Sequence, residues 1–278
     1  MRQATSAHPP TGIFRLNISA EMTPHQGPVI SVVTVVYNGG TVLEATIRSV
    51  LEQEYPAIEY IIVDGGSSDN TKVVLQKYSD RITQWVSEPD NGIYDAMNKA
   101  VRMVSGEWVI FMNAGDTFYS RDTLSALFSE VSTDAYAPYG VLYGDRCNIY
   151  HDRQKIIPAS DIESIEKHMP FCHQAALTRT ELLTNMPFDT RYRLGADYDF
   201  FLKTYHKGIL FKKIDACIAN YEAEQGVSSV LLRQAVKESL QLRFNRNPLH
   251  WIPRYLLFHL RYTISKTLQI IGLKRIKS

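Results

Sequence analysis

The feature that most constrains the fold is an apolar stretch that occurs four times and each time ends in small polar residues. The four stretches are Ile30 to Tyr37, Ile58 to Val63, Ile82 to Val86 and Trp108 to Met112, all rich in β-branched and aromatic residues. They are predicted as buried strands. Strands that alternate with helical patterns at this spacing predict right-handed βαβ units and a mostly parallel sheet with helices on both faces.

Helical patterns lie between these strands. Val42 to Leu51, Thr71 to Tyr78 and Tyr94 to Val104 are predicted as helices. After Phe118 the predicted strands and helices no longer alternate regularly. The later predictions are a helix near Arg121 to Val131, strands at Val141 to Asp145 and Gln174 to Thr178, and a helix that opens at Gly195 and stops at Lys207-Gly208. The expected fold class is therefore α/β.

Aspartates close two of the predicted strands, Asp64 after the second and Asp116 after the fourth. In an open α/β sheet the carboxyl ends of the strands form the ligand crevice, so both side chains are expected on one rim. A carboxylate there can hold a divalent cation against a phosphate, because magnesium and manganese prefer oxygen ligands. Each acid also has a structural reading, in which Asp64 supports the Gly65-Gly66 turn and Asp116 caps the next helix.

A third acid, Asp197, begins a later predicted helix. A carboxylate within hydrogen-bond reach of a hydroxyl can act as a general base, and a carboxylate at a helix start can equally be an N-cap. The Gly-rich motifs of a dinucleotide site or a P-loop do not follow the first strand. A phosphate-bearing ligand would therefore be held by other means.

Composition narrows the class of protein. The chain has 278 residues, of which 45% are hydrophobic and 11% aromatic, enough to bury a full core. A formal charge of +1 gives no electrostatic reason to expect a nucleic-acid partner. Three dispersed cysteines without a C-x-x-C pair argue against structural zinc and favour a reducing compartment. The chain shows no signal peptide and no run of about 18 apolar residues, so a cytoplasmic location is expected.

Five segments of the chain carry a resemblance to a known family. They are Ile30 to Asn38, Ile58 to Thr71 (IEYIIVDGGSSDNT), Glu88 to Ala100 (EPDNGIYDAMNKA), Gly106 to Asp116 (GEWVIFMNAGD) and Gly195 to Phe200 (GADYDF). Together and in this order they resemble family 2 glycosyltransferases of the GT-A fold. The resemblance spans residues 28 to 225.

The resemblance implies an inverting transfer of a sugar from a nucleotide-diphosphate donor, with a UDP-sugar as the first expectation. The family's base-contacting aspartate falls on Asp64, and its aromatic residue at the end of the first strand falls on Tyr37. Its metal-binding acid falls on Asp116, which implies a divalent cation, Mn2+ or Mg2+. Its catalytic base falls on Asp197, which would take the proton of an acceptor hydroxyl.

Other positions have weaker assignments. Asp95 and Asn98 match the helix that approaches the donor in similar enzymes. His173, beside the strand predicted from Gln174, could reach the acceptor or the diphosphate, or could be a structural residue. Gln225 to Ser229 looks like a segment that closes over the donor in similar enzymes, with an ordinary linker as the alternative.

The chain departs from the family pattern at two turns. Many members carry two or three acids in the metal turn, where this chain has Asn113 and a single acid, Asp116. Many members carry Glu before the catalytic base, where this chain has Ala196. That leaves Asp197 as the base candidate and Asp199 as its structural partner.

Residues 226–278 are predicted as a helical extension of a catalytic domain at 28–225, and residues 1–27 as a poorly ordered leader. The helical pattern of the extension is predicted to be interrupted at Asn247-Pro248 and at Pro253. From Leu249 to Leu273 the segment is apolar but too charged to span a bilayer. At about 100° per residue it carries two opposite stripes, an aliphatic one of Ile252, Leu256, Leu260 and Ile264 and an aromatic one of Trp251, Tyr255, Phe258 and Tyr262. It suits a membrane surface, which fits a lipid-linked glycan acceptor in bacterial polysaccharide assembly on the inner face of the plasma membrane. The alternative is a helix buried against the catalytic domain or a second subunit.

Two other functions use a similar scaffold. A sugar nucleotidyltransferase would need a Gly-rich loop with Lys or Arg after the first strand, and Asn38 to Thr41 lacks that charge. A non-catalytic sugar-nucleotide-binding protein fits the depleted metal turn. The retention of Asp116 and Asp197 favours an enzyme instead.

Overall fold

The computed structural model describes residues 14–15, 27–128, 133–224, 231–244 and 248–270. Most of the predicted leader and the segment Gln225 to Ser229 lie outside these residues. The described strands are β1 (Phe14–Arg15), β2 (Ile30–Val36), β3 (Ile58–Asp64), β4 (Gln84–Ser87), β5 (Trp108–Phe111), β6 (Thr117–Phe118), β7 (Tyr139–Ile149), β8 (Gln154–Ile157), β9 (Ala176–Arg179) and β10 (Leu210–Glu222). The described α-helices are α1 (Leu43–Leu51), α2 (Thr71–Lys77), α3 (Ile93–Val101), α4 (Thr123–Phe128), α5 (Thr180–Asn185), α6 (Ala196–His206), α7 (Leu232–Arg243) and α8 (Pro248–Ile270).

The first half of the sheet is the predicted parallel core. β2 pairs in parallel with β3 on one side and with β5 on the other, and β4 adds in parallel to β3. All seven residues of β2 are buried. A strand covered on both faces needs apolar residues on both, which explains why its sequence does not alternate. The carboxyl ends of these four strands lie at one edge, as the sequence predicts.

The second half of the sheet changes direction at β9, which lies antiparallel between β5 and β7. The strand order is β1-β4-β3-β2-β5-β9-β7-β10-β6, with β8 paired to β7. β10 is parallel to β7, and β6 is antiparallel to β10. Because β9 runs opposite to β5, the residues just before β9 lie at the edge where the parallel strands end.

Helices cover both faces of the sheet. One core cluster joins α1 and α2 to the face of β2 that carries Val32. The other joins α3 and α6 to the face that carries Val33. Ile47 of α1 is fully buried, and burial of a side chain of this size stabilises the fold by about 1.5–3 kcal/mol. The predicted α/β class is confirmed.

The strand predicted from Gln174 begins two residues later than expected. His173–Ala175 forms a single 3-10 turn, in which the N–H of Ala175 donates to the carbonyl of Cys172 at 2.9 Å. β9 starts at Ala176, and its first three residues are buried. His173 and Gln174 therefore lie in the turn before β9, at the edge of the sheet where the parallel strands end.

The described part of the predicted C-terminal extension consists of α7 and α8. α7 buries Glu238 and Leu242, and Glu238 contacts Gly195 at the start of α6. α8 continues through Pro253, where the sequence predicts an interruption. Pro253 removes one backbone N–H donor near the start of a long helix, and the remaining turns continue the helix. Among the described residues, no helix has both the length and the apolar character that a membrane crossing requires.

The two stripes predicted on α8 have different surroundings. Tyr262 of the aromatic stripe lies under the guanidinium of Arg233 on α7, 4.8 Å from the ring centroid. The aromatic side chains are partly buried: Trp251, Tyr255, Phe258 and Tyr262. The aliphatic side chains are exposed: Ile252, Leu256, Leu260 and Ile264. The surface that α8 offers to its surroundings is therefore aliphatic, and the aromatic face is turned partly toward α7.

Candidate active site

Asp64 ends β3 and is fully buried. Its carboxylate accepts hydrogen bonds from the hydroxyl of Ser67, from the backbone N–H of Ser67 at 3.2 Å, and from the hydroxyl of Ser87 at 2.5 Å. These contacts fix the turn after β3 against the end of β4. The side chain therefore shapes the turn, and its contact with a nucleotide base stays a prediction.

Tyr37 follows β2, and the residue is 67% exposed. The next residue, Asn38, has a positive φ of 50°. Its N–H donates to the hydroxyl of Ser67 at 2.7 Å, and its Oδ1 accepts from the N–H of Ser68 at 2.9 Å. The backbone beside Tyr37 is thus tied to the turn after β3, while the ring itself remains open to solvent for stacking on a ligand.

Asp116 lies in the turn after β5 and is 5% exposed. Its Oδ2 accepts from Nε2 of Gln174 at 2.7 Å, and its Oδ1 accepts from the N–H of Glu222 on β10 at 3.1 Å. Burial raises the pKa of Asp116 to about 6, although both hydrogen bonds and the nearby His173 act to lower it. The sequence predicts Gln174 as the first residue of a strand and gives it no contact with Asp116. Only the reversal of the chain at β9 brings it here.

Asn113 begins the same turn and contacts the segment before β9. Its Nδ2 donates to Nε2 of His173 at 3.0 Å. Its Oδ1 is buried and has no hydrogen-bond partner among the residues that the structure describes. A buried carbonyl oxygen without a donor is unfavourable unless a ligand or cation completes it. The turn therefore combines one carboxylate and one unpartnered oxygen.

This pair of oxygens fits a cation that binds mainly through substrate. Mg2+ is held in many sites by one or two protein oxygens, with phosphates and water completing its shell. Asp116 and Asn113 match that ligand type. Over the part of the chain that the structure describes, no cluster of three or more His, Cys, Asp or Glu side chains forms a complete protein cage.

Asp197 lies in the first turn of α6, and its carboxylate is contacted by three hydrogen-bond donors. Nδ1 of His173 is 3.0 Å from its Oδ2. Its Oδ1 accepts from the hydroxyl of Tyr94 and from the N–H of Tyr198, both at 2.9 Å. Burial by itself raises the pKa of Asp197, but the hydrogen bond from His173 and the other two donors outweigh it and hold the pKa below its ordinary value. The carboxylate is thus kept ionised.

His173 links the two turns. An imidazole that carries its proton on Nδ1 donates to Asp197 and accepts from Asn113 at Nε2, which satisfies both contacts. Tyr94 completes the chain of contacts, and burial raises its pKa well above the ordinary value, so its hydroxyl stays protonated and donates to Asp197. Tyr94 belongs to a segment that the sequence marked, but its role depends on a contact across 103 residues.

Asp95 contacts the loop just before α3, and Asn98 contacts the backbone of a distant segment. Oδ2 of Asp95 accepts from the N–H of Asn91 at 2.9 Å. The amide of Asn98 donates to the carbonyl of Phe188 and accepts from its N–H, each at 2.9 Å. The structure does not bring either side chain into the chain of contacts around Asp197, and their predicted approach to the donor stays a prediction.

Known sequences show similarity over this region. The family model described as Glycosyl transferase family 2 matches residues 31–207. A PGL/p-HBAD biosynthesis glycosyltransferase of Mycobacterium bovis is 27% identical over 210 residues, which cover 74% of this chain and 81% of that protein. The putative teichuronic acid biosynthesis glycosyltransferase TuaG of Bacillus subtilis is 39% identical over 100 residues, which cover 35% of this chain and 39% of that protein.

Solved structures show the same fold. The mannosyltransferase PcManGT from Pyrobaculum calidifontis, in complex with GDP-Man and Mn2+, superposes with a TM-score of 0.61 and 20% identity, covering 77% of this chain and 63% of that chain. S. aureus TarS 1-349 in complex with UDP-GlcNAc superposes with a TM-score of 0.59 and 18% identity, covering 77% of this chain and 66% of that chain. The predicted GT-A type fold is confirmed. Since the family model covers more than half of its residues, this chain belongs to glycosyl transferase family 2.

Proposed function

We propose that the protein is an inverting glycosyltransferase that moves a sugar from a nucleotide-diphosphate donor to a hydroxyl of a glycan or lipid-linked glycan in bacterial polysaccharide assembly. The observation that carries the proposal is the partly buried carboxylate of Asp197, hydrogen-bonded to Tyr94 and linked through His173 to the turn after β5. A base on one side of the sugar and a diphosphate site on the other are what a direct displacement needs.

Asp197 is the proton acceptor in this mechanism. Its Oδ1 accepts two hydrogen bonds, whereas its Oδ2 accepts one, from His173. Because a carboxylate oxygen has two lone pairs, Oδ2 has room for the acceptor hydroxyl. The proton passes to Oδ2 as the hydroxyl oxygen attacks the anomeric carbon, and the bond to the diphosphate breaks on the opposite face. General-base catalysis of this kind contributes about 10²- to 10⁴-fold.

The donor would lie across the ends of β2, β3 and β5. Tyr37 offers an exposed ring for the nucleotide base, and Asp64 shapes the turn beside it. TarS and a glucosyl-3-phosphoglycerate synthase of Mycobacterium tuberculosis were solved with UDP-GlcNAc or UDP, which supports a UDP-sugar as the first donor to test. PcManGT was solved with GDP-Man, so GDP-sugars belong in the same panel. Asp95 and Asn98 remain candidates for the donor side.

A divalent cation, Mn2+ or Mg2+, would be held by Asp116 and by Oδ1 of Asn113. When bound, it would supply positive charge that neutralises the departing diphosphate. The Mn2+ in the PcManGT complex supports this assignment. The carboxylate must be ionised to bind a cation, and the pKa of Asp116 is about 6. Cation binding should therefore weaken as the pH falls through that value.

The C-terminal extension is proposed to rest on an anionic membrane surface from the cytoplasmic side. Residues 231–278 hold ten of the 30 Lys and Arg residues of the chain but only one of its 29 acids. Basic segments next to apolar side chains suit anionic head groups. The exposed aliphatic stripe on α8, from Ile252 to Ile264, supplies the apolar part. The enzyme would then lie at the same membrane surface as a lipid-linked acceptor.

The test is a panel of UDP-, GDP-, dTDP- and CDP-sugars incubated with the full chain, with and without Mn2+, and scored for release of the nucleoside diphosphate. One donor should be turned over by the wild-type protein, and Asp197→Asn should lose most of that turnover while its far-UV spectrum stays unchanged. The sugar released should have inverted anomeric configuration.

Other outcomes favour the alternatives. If nucleotide sugars bind but are not turned over in any condition, the result favours a non-catalytic sugar-nucleotide-binding protein. Formation of a nucleotide sugar from a sugar phosphate and a nucleoside triphosphate would support a nucleotidyltransferase instead. Turnover that is equal in wild type and Asp197→Asn would leave a glycosyltransferase but would reject this base.

A further inference from the structure

A buried glutamate of the C-terminal extension holds the loop that leads into α6. Glu238 lies on α7 and is 3% exposed. Its Oε1 accepts from the N–H of Arg193 at 3.1 Å, and its Oε2 accepts from the N–H groups of Leu194 at 2.8 Å and Gly195 at 2.9 Å. Nε2 of Gln234, one turn earlier on α7, donates to Oε1 at 2.5 Å. All four donors converge on one carboxylate.

Three consecutive backbone N–H groups that point at one anion form a nest of partial positive charge. The start of α6 adds to this field, because helix N-termini favour negative charge. Gly195 is the N-cap of α6, and no side chain of its own segment caps the helix. The carboxylate that accepts from the N–H of Gly195 comes from 43 positions further along the chain.

The contact is also tightly packed. A Cβ added to Gly195 would lie 3.2 Å from Cβ of Glu238, 3.3 Å from its Oε2 and 3.4 Å from Leu242. Among the described residues, no Lys or Arg side chain forms an ion pair with Glu238, so the amides provide its compensation. A buried carboxylate is strongly destabilising without such donors, which means that α7 and this loop must keep their relative position.

We propose that Glu238 is a positioning residue for Asp197, and that the C-terminal extension is thereby part of the catalytic machinery. The inference rests on the proposed function, in which Asp197 is the base. Gly195 is held by Glu238, and Asp197 follows two residues later in the first turn of the same helix. A shift of the loop would move the carboxylate of Asp197 away from His173 and from the acceptor hydroxyl.

The nucleotide end of the site lies apart from this contact. Tyr37 and the turn around Asp64 are held by Ser67, Ser68 and Ser87, and none of these contacts involves α7. Loss of the Glu238 contact should therefore reduce turnover without weakening the binding of the donor. A residue that only stabilises the fold would not separate the two effects.

The experiment compares Glu238→Gln with the wild-type full chain. The amide group is close in size to the carboxylate, but its NH2 end is a donor and cannot accept from the backbone N–H groups. We expect kcat to fall about 10- to 100-fold, because small misplacements of a catalytic group have effects of this size. The KM for the donor and the Kd of the nucleoside diphosphate should stay within about twofold of wild type. Backbone amides of residues 193–195 should exchange hydrogen faster with solvent.

Two further variants make the result specific. Glu181→Gln makes the same change at an exposed glutamate of α5, outside the site and the extension, and should leave kcat, KM and amide exchange unchanged. Gly195→Ala keeps every hydrogen-bonding group, and the φ of −116° at this position is allowed for alanine. Its Cβ should press on Glu238 and lower kcat several-fold in a folded protein. If Glu238→Gln does not fold, Gly195→Ala tests the positioning role of Glu238 in its place.

The outcomes separate this inference from the proposed function. Unchanged amide exchange in Glu238→Gln, or faster exchange with unchanged kcat, overturns the positioning role. A parallel loss of kcat and donor affinity overturns it as well, since that pattern indicates general destabilisation. Wild-type turnover in Asp197→Asn instead rejects the proposed base, and with it the positioning role of Glu238, while the exchange data still report the contact itself.

Discussion

Replacing Asp116 by asparagine is expected to stabilise the protein while it removes the proposed transfer activity. Burial raises the pKa of Asp116 from 3.8 to about 6. The folded state therefore binds this proton more tightly than the unfolded chain does, and the ionised carboxylate destabilises the folded state above that pH. A pKa difference of about two corresponds to about 3 kcal/mol at pH 8. Asparagine has nearly the same size and carries no charge, so Asp116→Asn removes this destabilisation.

Thermal unfolding of the full chain at pH 8 and pH 5, without added cation, measures the effect. At pH 8 the upper limit of about 3 kcal/mol corresponds to a midpoint increase of about 6–12 °C for a protein of this size. Below the pKa of Asp116 the wild type becomes protonated and regains about 1.4 kcal/mol per pH unit, so the advantage of the variant should narrow at pH 5. Asp80→Asn, at an exposed carboxylate, is the control for the substitution and should not raise the midpoint at pH 8.

The reasoning is refuted if Asp116→Asn is less stable than wild type at pH 8, because the hydrogen bonds from Gln174 and Glu222 would then outweigh the burial of the charge. A gain that is equal at both pH values would also refute it, since a neutral substitution that only improves packing has no titration. If Asp116→Asn is less stable than the wild type only when Mn2+ is present, the cation stabilises the wild type.

Three further predictions follow from particular contacts. His173→Leu removes a hydrogen-bond donor that lowers the pKa of Asp197 while burial remains, so the Asp197 carboxyl should titrate at higher pH in NMR spectra; an unchanged titration would contradict this. Gly106→Ala places a Cβ 2.7 Å from the carbonyl oxygen of Val29 and should lower the free energy of unfolding in urea by about 1–3 kcal/mol; an unchanged midpoint would argue against this. Leu256→Glu should weaken co-sedimentation with phosphatidylglycerol vesicles about tenfold, and equal binding would reject a membrane role for the exposed stripe.

The sequence by itself determined the class of fold and the position of the first four strands. A largely apolar stretch such as Ile30 to Val36 must be buried on both faces, and this requirement can be recognised from the local sequence alone. The turn aspartates follow directly from those strands. The sequence alone is therefore enough to place Asp64 and Asp116 on one edge of the sheet, and to place Asp197 at the start of a helix.

Tertiary structure alone decided how the later half of the chain completes the site. Nothing local in the sequence indicates that β9 reverses direction, because strand direction depends on pairing partners far away in the chain. That reversal brings His173 and Gln174 to Asp197 and Asp116. In the same way the sequence predicted a helical extension but not the contact between Glu238 and Gly195. Such polar contacts between distant segments leave no periodic pattern, since their specificity lies in the three-dimensional position of single atoms.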